Sequence, residues 1–413
     1  MTLKILIQRA DRLGDMILAF PVVEQLKAAY PNAIIHVLCS RISHDVVSTH
    51  PLVDQTLVLG PFLKTLRLLK QEKYNIILNL WHQPKTALLG ALASIPIRIG
   101  DKEGLISLFY TNKVHRNWSD LSRHESDFNL DLLKPLNMTP FEKKIMFYTT
   151  QTEKENAKKL IKTAHHTEKK SILFFIGSTG SNAAIPTKVI IDMAKKILNQ
   201  ARYTVIFCYG DLPQGDPILS FTHPLLTNIT ERLPIQTLAA VIERVDYYIS
   251  SDTGPTHIAA FLKKAILVYF GSKHNPPSRW GPLSDHIQII RCDNDQTKLT
   301  SPMLYKKFQQ LIASSPDPKT AQLNRLYHSY RVLKCDKKRI PIPSVKTFFY
   351  TRKATFWANL LAINYAIQRY NITNLDGDFT KLEVALIRFY YGLRSRFKPS
   401  FNTPSLTQII QVK

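Results

Sequence analysis

Short apolar runs alternate with longer stretches in which apolar residues recur every three or four positions. This alternation governs the first three-quarters of the chain. Leu3–Ile7 is short enough to be a buried strand; the polar segment Gln8–Asp15 reads as a loop, and Met16–Tyr30 repeats with helical spacing until Pro31 ends it. Ile34–Leu38, Leu57–Leu59 and Ile76–Leu80 read as further strands and Leu63–Gln71 as a helix. Strands separated by helices of about ten residues predict βαβ units on a parallel sheet. Between about Thr139 and Lys170 the pattern yields to lysines and polar residues, with one amphipathic helix at Glu153–Thr163. It then restarts. Ser171–Ile176, Thr204–Tyr209, Tyr247–Ser250 and Ala265–Phe270 read as strands, and Pro186–Gln200, Ile235–Val245 and Thr256–Lys263 as helices.

The expectation is an α/β protein of two Rossmann-like, doubly wound domains facing a cleft, residues 1–155 and 156–315. In open sheets of this kind ligands bind outside the carboxyl ends of the strands, so chemistry belongs in the loops after strands. Residues 316–413 break the pattern and form a basic, mainly helical C-terminal extension. Pro316, Pro318, Pro341 and Pro343 punctuate its start, and Phe356–Tyr370 and Leu382–Arg396 read as aromatic-rich helices fringed by Arg352, Lys353, Arg388, Arg394, Arg396 and Lys398. Such helices suit either a membrane interface or a layer packed on the second domain.

Composition narrows the class. An apolar fraction of 45% over 413 residues excludes wholesale disorder. No apolar run is long enough to span a bilayer: Ala87–Ile97 is interrupted by Gly90 and Pro96. The N-terminus lacks a signal-peptide plan, because Arg9, Asp11 and Arg12 follow Ile5–Ile7 at once. Cys39, Cys208, Cys292 and Cys335 stand far apart, as buried or free thiols of a reducing cytoplasm do, rather than as a disulfide framework or zinc site. With 55 Lys+Arg against 31 Asp+Glu the net charge is +24, and residues 331–413 hold 15 basic and 4 acidic side chains. That skew implies a polyanionic partner: nucleic acid, an anionic membrane surface or a phosphorylated substrate.

Three loops after strands could carry chemistry. In Leu13-Gly-Asp-Met-Ile17, Gly14 permits a tight turn and Asp15 lies near a helix start, where its anion is stabilised; it is either a cap or a general base. In Ser251-Asp-Thr-Gly-Pro-Thr-His257, Gly254 and Pro255 open a helix whose free N–H groups suit a phosphate. Thr253 and Thr256 can add hydroxyl donors, and His257 sits in the first turn. Gly177-Ser-Thr-Gly-Ser181 is a third, hydroxyl-rich loop. No GxGxxG and no Walker-type lysine is present, which argues against hydride transfer and P-loop hydrolysis. Asp293-Asn-Asp295 and Asp376-Gly-Asp378 have DxD spacing but read as turns, so no metal and no cofactor is expected.

These loops, with Ile5-Leu-Ile-Gln-Arg9, the continuation to Pro21, Arg123-His-Glu125 before Asn129-Leu-Asp-Leu-Leu133, Val268-Tyr-Phe-Gly-Ser272 and Trp280-Gly-Pro282, resemble family 9 glycosyltransferases over about residues 1–315. These are the ADP-heptose:lipopolysaccharide heptosyltransferases of GT-B fold. The resemblance implies that Asp15 deprotonates an acceptor hydroxyl, which attacks the anomeric carbon of a nucleotide sugar with inversion. It implies that Ser178, Thr179, Thr253, Gly254 and His257 hold the donor diphosphate, with Asp252 also on the donor. The chain departs from the family at Asn182-Ala-Ala-Ile-Pro186, where Ala183 and Ile185 stand in place of a lysine and a tryptophan.

The resemblance also implies partners: a nucleotide-sugar donor such as ADP-heptose and a lipopolysaccharide core or lipid A acceptor. Arg9, Arg12 and Gly14 flank the acceptor side; the two arginines would meet acceptor anions or remain solvated loop charges. The expected location is cytoplasmic, peripheral to the inner membrane, whose anionic surface suits the basic tail. Other readings are a different nucleotide sugar, a degenerate non-catalytic scaffold, or a nucleic-acid-binding protein; the anion loops favour a sugar nucleotide over nucleic acid.

Overall fold

The computed structural model describes residues 2–325 apart from 119, 121–122, 139–145, 162–168, 178–182, 273–274, 293–294 and 323. The first half runs β1 (Lys4–Arg9), α1 (Leu13–Ile17), α2 (Phe20–Ala29), β2 (Ile34–Cys39), α3 (His44–Ser48), β3 (Gln55–Val58), α4 (Phe62–Glu72), β4 (Ile76–Asn79), α5 (Pro84–Leu92), β5 (Ile97–Asp101), β6 (Asn112–Val114) and α6 (Glu125–Asp131). The second runs α7 (Gln151–Leu160), β7 (Lys170–Ile176), α8 (Thr187–Leu198), β8 (Tyr203–Tyr209), β9 (Leu226–Asn228), α9 (Ile235–Glu243), β10 (Tyr247–Ser251), α10 (Gly254–Phe261), β11 (Ala265–Phe270), α11 (Pro277–Trp280), β12 (Ile287–Arg291) and α12 (Ser301–Ala313).

The strands make two six-stranded sheets, β3-β2-β1-β4-β5-β6 and β12-β11-β10-β7-β8-β9. Every pairing is parallel. Read outward from its first strand, the second sheet repeats the order of the first, and both are doubly wound as expected. The winding direction reverses between β1 and β4 and again between β7 and β10, which puts a crevice at each of those carboxyl ends.

Parallel strands covered on both faces read as continuous apolar runs. Ile5, Leu6 and Ile7 are fully buried, with Ile5 and Ile7 on one face of the first sheet and Leu6 on the other. One apolar cluster runs from the inner face of the first sheet to that of the second, through Phe20, Phe147 and Phe261. The outer face of the second sheet has its own core around Ile172, Phe174 and Phe207.

The single helix expected at Met16–Tyr30 is two helices, α1 and α2. Pro21 is the reason: it has no N–H to give the carbonyl of Ile17, and its ring crowds that carbonyl, so the helix restarts with proline in its first turn. The expected loop also shrinks, because β1 continues through Gln8 and Arg9 and α1 begins at Leu13. Cys39, Cys208 and Cys292 are buried. Past Pro316 the chain returns onto the second half, where the Asp317 amide donates to the Asp285 carbonyl and Arg325 donates to the carbonyls of Pro282 and Ser284. The two aromatic-rich helices expected further along lie outside the described residues, as does Cys335.

Candidate active site

The loops after β1 and β10 meet. Helix α1 presents its N-terminus to that of α10, and a glycine stands at each point of approach. A Cβ added to Gly14 would lie 2.9 Å from His257 Cδ2, and one added to Gly254 would lie 3.0 Å from Leu13 Cδ2. Space rather than an unusual φ favours glycine at both places, since a methyl at Gly14 must displace His257 and one at Gly254 crowds Leu13. Asp15 stands in the first turn of α1 and is partly exposed at this junction.

Arg9, the last residue of β1, organises the carboxylates. Its guanidinium is buried and reaches Asp11 Oδ1 at 3.0 Å, Asp15 Oδ1 at 2.8 Å and Glu125 Oε1 at 3.0 Å, and it also donates to Asn129 Oδ1 at 3.1 Å. Burial alone would lower the pKa of this arginine; the Asp11, Glu125 and Asp15 carboxylates outweigh it and raise it. The same burial pushes Asp15 above the ordinary carboxylate range, with Arg9 opposing and Glu125 adding to the rise. Asp11 is pushed up to about 6, again by burial against the pull of Arg9.

Glu125 carries this network across to the second half. Its Oε2 accepts from Arg279 Nε at 3.1 Å, and the Arg279 guanidinium lies over the rings of Trp118, Trp280 and Phe128. Next to it, His124 bonds the Gly281 carbonyl through Nε2 at 2.8 Å while its Nδ1 accepts from the Ser126 amide. The Arg-His-Glu and Trp-Gly-Pro strings are therefore two sides of one joint, 154 residues apart at the Arg279–Glu125 pair.

On the second half, Asp252 is the first residue after β10, buried, with Oδ2 accepting from Asn275 Nδ2 at 3.3 Å. Burial raises its pKa to about 7; the Asn275 bond opposes this, and the nearby Asp15 charge adds to it. The first turn of α10 has no side-chain cap. Thr256, expected to offer its hydroxyl to an anion, instead gives it to the Ser251 carbonyl and meets Ser250 and Thr253, fully buried. Thr253 is the N-cap residue, and its hydroxyl meets Thr256 at 3.1 Å. His257 is 5% exposed, wedged against Gly14, and burial holds its pKa down at about 4, so the ring is neutral. Its buried Nδ1 has no hydrogen-bond partner among the described residues.

The structure thus gathers Arg9, Gly14, Asp15, Gly254 and His257 at one junction, with Asp252 and Arg12 within electrostatic reach of Asp15. Arg9 is not the solvated loop charge it could have been: it is 3% exposed and spent on internal carboxylates. Arg12 is exposed at the head of α1. Ser178 and Thr179 lie outside the described residues, but Gly177 before them has φ +94°, and a Cβ there would meet the Asp211 carbonyl oxygen at 2.7 Å. Ile185 is buried in the second core and donates its amide to Ser251 Oγ, while Ala183 packs on Gly271. Glu125, Asn129 and Arg279 were missed as members of the site. The Arg-His-Glu string was the available signal, but nothing local to it points to Arg9, 116 residues earlier.

Two parallel sheets of one strand order, joined at the carboxyl edges of their first and fourth strands, make the GT-B architecture of glycosyltransferases. A family model described as glycosyltransferase family 9 (heptosyltransferase) matches residues 62–308, more than half of the chain, and the chain belongs to that family. Lipopolysaccharide heptosyltransferase 3 of Escherichia coli K12 is 26% identical over 309 residues, 66% of this chain and 83% of that one. The solved glycosyl transferase family 9 protein of Veillonella parvula superposes with a TM-score of 0.65 at 21% identity, over 76% of this chain and 97% of that one. The ADP-heptose lps heptosyltransferase II of E. coli does so with a TM-score of 0.62 at 19% identity, over 75% and 99%. The protein is a glycosyltransferase.

Proposed function

We propose that the junction transfers heptose from ADP-heptose to the inner core of lipopolysaccharide, on a Kdo-lipid A or core heptose acceptor, with inversion. The observation that carries this is Asp15: a carboxylate in the first turn of α1, held by Arg9 and set beside the uncapped N-terminus of α10. Asp15 takes the proton of the acceptor hydroxyl as its oxygen attacks the anomeric carbon. The new glycosidic bond forms as the bond from that carbon to the β-phosphate breaks, and the electron pair leaves with ADP. Negative charge then grows on the β-phosphate, where the bare α10 N-terminus at Thr253 and Gly254 is preorganised to receive it, and Ser178 and Thr179 are assigned to the same diphosphate. The unpartnered Nδ1 of His257 faces the same role, and Asp252 orients the donor. Arg12, exposed at the head of α1, is the acceptor-side cation of this reading. This mechanism asks for no metal and no cofactor, and it gives a nucleic acid no part.

The proposed setting is the cytoplasmic face of the inner membrane, with the protein peripheral to it through the basic extension at 316–413. No described helix is long and apolar enough to cross a bilayer. Calorimetry with ADP-, UDP-, GDP- and CMP-sugars, followed by transfer to a Kdo-bearing lipid A, tests the reading. ADP-heptose is expected to bind best, and Asp15→Asn to keep donor affinity within a few-fold while losing turnover. A preference for another nucleotide would move the enzyme to a different sugar; turnover surviving in Asp15→Asn would end the role of base.

A further inference from the structure

The four most exposed large apolar side chains among the described residues are Leu105 (84%), Leu108 (72%), Ile42 (71%) and Leu63 (65%). All four belong to segments that leave the carboxyl edge of the first sheet. Ile42 is in the 3-10 turn Arg41–Ser43 after β2, Leu63 is in the first turn of α4 after β3, and Leu105 and Leu108 are in the 3-10 segment Leu105–Phe109 after β5. Because the sheet is parallel, those strands end on the edge from which the Asp15 loop also rises. The matching loops of the second sheet carry no such side chain among the described residues. A single exposed leucine is ordinary; four exposed to 65% or more on one edge, where the described residues of its counterpart offer only Met303 at 39%, are not.

Cations accompany them. Arg41 adjoins Ile42, Lys64 adjoins Leu63, Lys102 precedes Leu105, and Arg12 stands at the head of α1; all four are exposed. None makes an ion pair among the described residues. Of the nearby acids, Asp11 and Asp15 are held by Arg9, while the exposed Asp45 and Glu103 lie beside His44 and His115, which pair with them only when protonated. The edge is therefore apolar at its tips and positive between them.

We propose that this edge docks on an anionic lipid bilayer, with Ile42, Leu63, Leu105 and Leu108 entering the headgroup–acyl boundary and Arg12, Arg41, Lys64 and Lys102 meeting lipid phosphates. A second copy of the chain fits less well, since a two-fold contact sets the same patch against itself and opposes four exposed cations with only Asp45 and Glu103 to answer them. The inference rests on reading the cleft as a site for a lipid-anchored acceptor. It adds that the catalytic edge itself, rather than the basic extension alone, touches the membrane, which brings the acceptor sugar to Asp15 without lifting its lipid out of the leaflet.

The test uses the full chain and neither donor nor acceptor, so its outcome is independent of which sugar is transferred. An environment-sensitive fluorophore on Leu105→Cys, read against the labelled unsubstituted chain, is expected to shift to shorter wavelength with vesicles of phosphatidylcholine and phosphatidylglycerol. Spin-labelled lipid should quench it, and phosphatidylcholine alone should leave it unchanged. The quadruple variant I42S/L63S/L105S/L108S, its fold checked by circular dichroism, is expected to partition to the anionic vesicles about tenfold or more weakly. A probe that stays at its aqueous wavelength while the chain sediments with vesicles would overturn the proposal and leave attachment to the extension. Unchanged partitioning of the quadruple variant together with a dimer lost in sedimentation would also overturn it, making the edge a contact between copies.

Discussion

The two sheets share one strand order and differ in what they place at their carboxyl edges. The first sets ionisable groups there: Arg9, Asp11 and Asp15 within salt-bridge distance, with Glu125 locking them. The second sets small and hydroxylated residues there, with a neutral histidine, a buried carboxyl of raised pKa and an uncapped helix start. An edge of mobile protons suits acid–base work on a hydroxyl, while an edge of fixed N–H dipoles suits an incoming diphosphate. The same scaffold thus supports two tasks, and the joint at Glu125 and Gly14 holds them in register.

The largest expected effect comes from breaking that joint. Glu125→Ala strips one partner from both Arg9 and Arg279, and losing one side of a buried ion pair costs about 3–5 kcal/mol. A urea midpoint unchanged from the parent would show the two halves to be independent at this point. Glu125→Gln sharpens the matter. The Glu125 charge raises the pKa of Asp15, so its removal is expected to move the acid limb of the pH–rate profile to lower pH.

Asp252→Asn tests the second edge. The pKa of Asp252 is raised to about 7, so the folded protein holds that proton more tightly than the unfolded chain does. Its contribution is complete below the unfolded value near 4 and is lost as pH rises to about 7. Asparagine cannot titrate, so the variant is expected to gain on the parent between about pH 4 and pH 7 and to hold that gain above it, by on the order of a few kcal/mol at most. His257 titrates over part of this range in the opposite sense, but it does so in both proteins and cancels. A gap that narrows with pH would mean the Asp252 anion is well matched in the fold.

A smaller loss is expected from Gly14→Ala. The added methyl must push His257 aside, an overpacking that costs about 1–3 kcal/mol. Combining it with His257→Ala should recover much of that loss; if it does not, the glycine matters for its backbone and not for the approach of the two edges.

Much of the fold was legible in the order of residues. Short apolar runs, from Leu57–Leu59 to Ala265–Phe270, separated by helical repeats gave two doubly wound halves, because a strand buried on both faces has almost no polar positions. The break between α1 and α2 was less legible, since Met16–Tyr30 keeps helical periodicity across Pro21 and a proline is tolerated in a helix's first turn as well as at a break. In the site, Gly14, Asp15 and the Asp252–His257 string announced themselves by lying after strands and before helices. Arg9 was placed on the acceptor side as one possible solvated charge, and the structure commits it inward. Glu125 and Arg279 gave no local sign of their pairing, since a salt bridge depends on where two chain segments end and not on what surrounds either in sequence.

The sequence by itself determined the two parallel sheets, the loops that carry chemistry and the positive charge, because periodicity, turn residues and composition act locally or in sum. The tertiary structure decided which groups are charged and which surfaces are free. Asp252 and His257 owe their shifted pKa values to burial, and burial is a property of the assembled fold. Leu105 and Leu108 look like core residues in the chain, and Arg9 looks like a surface one; the folded positions reverse both, because exposure is set by what packs over a residue and not by its type.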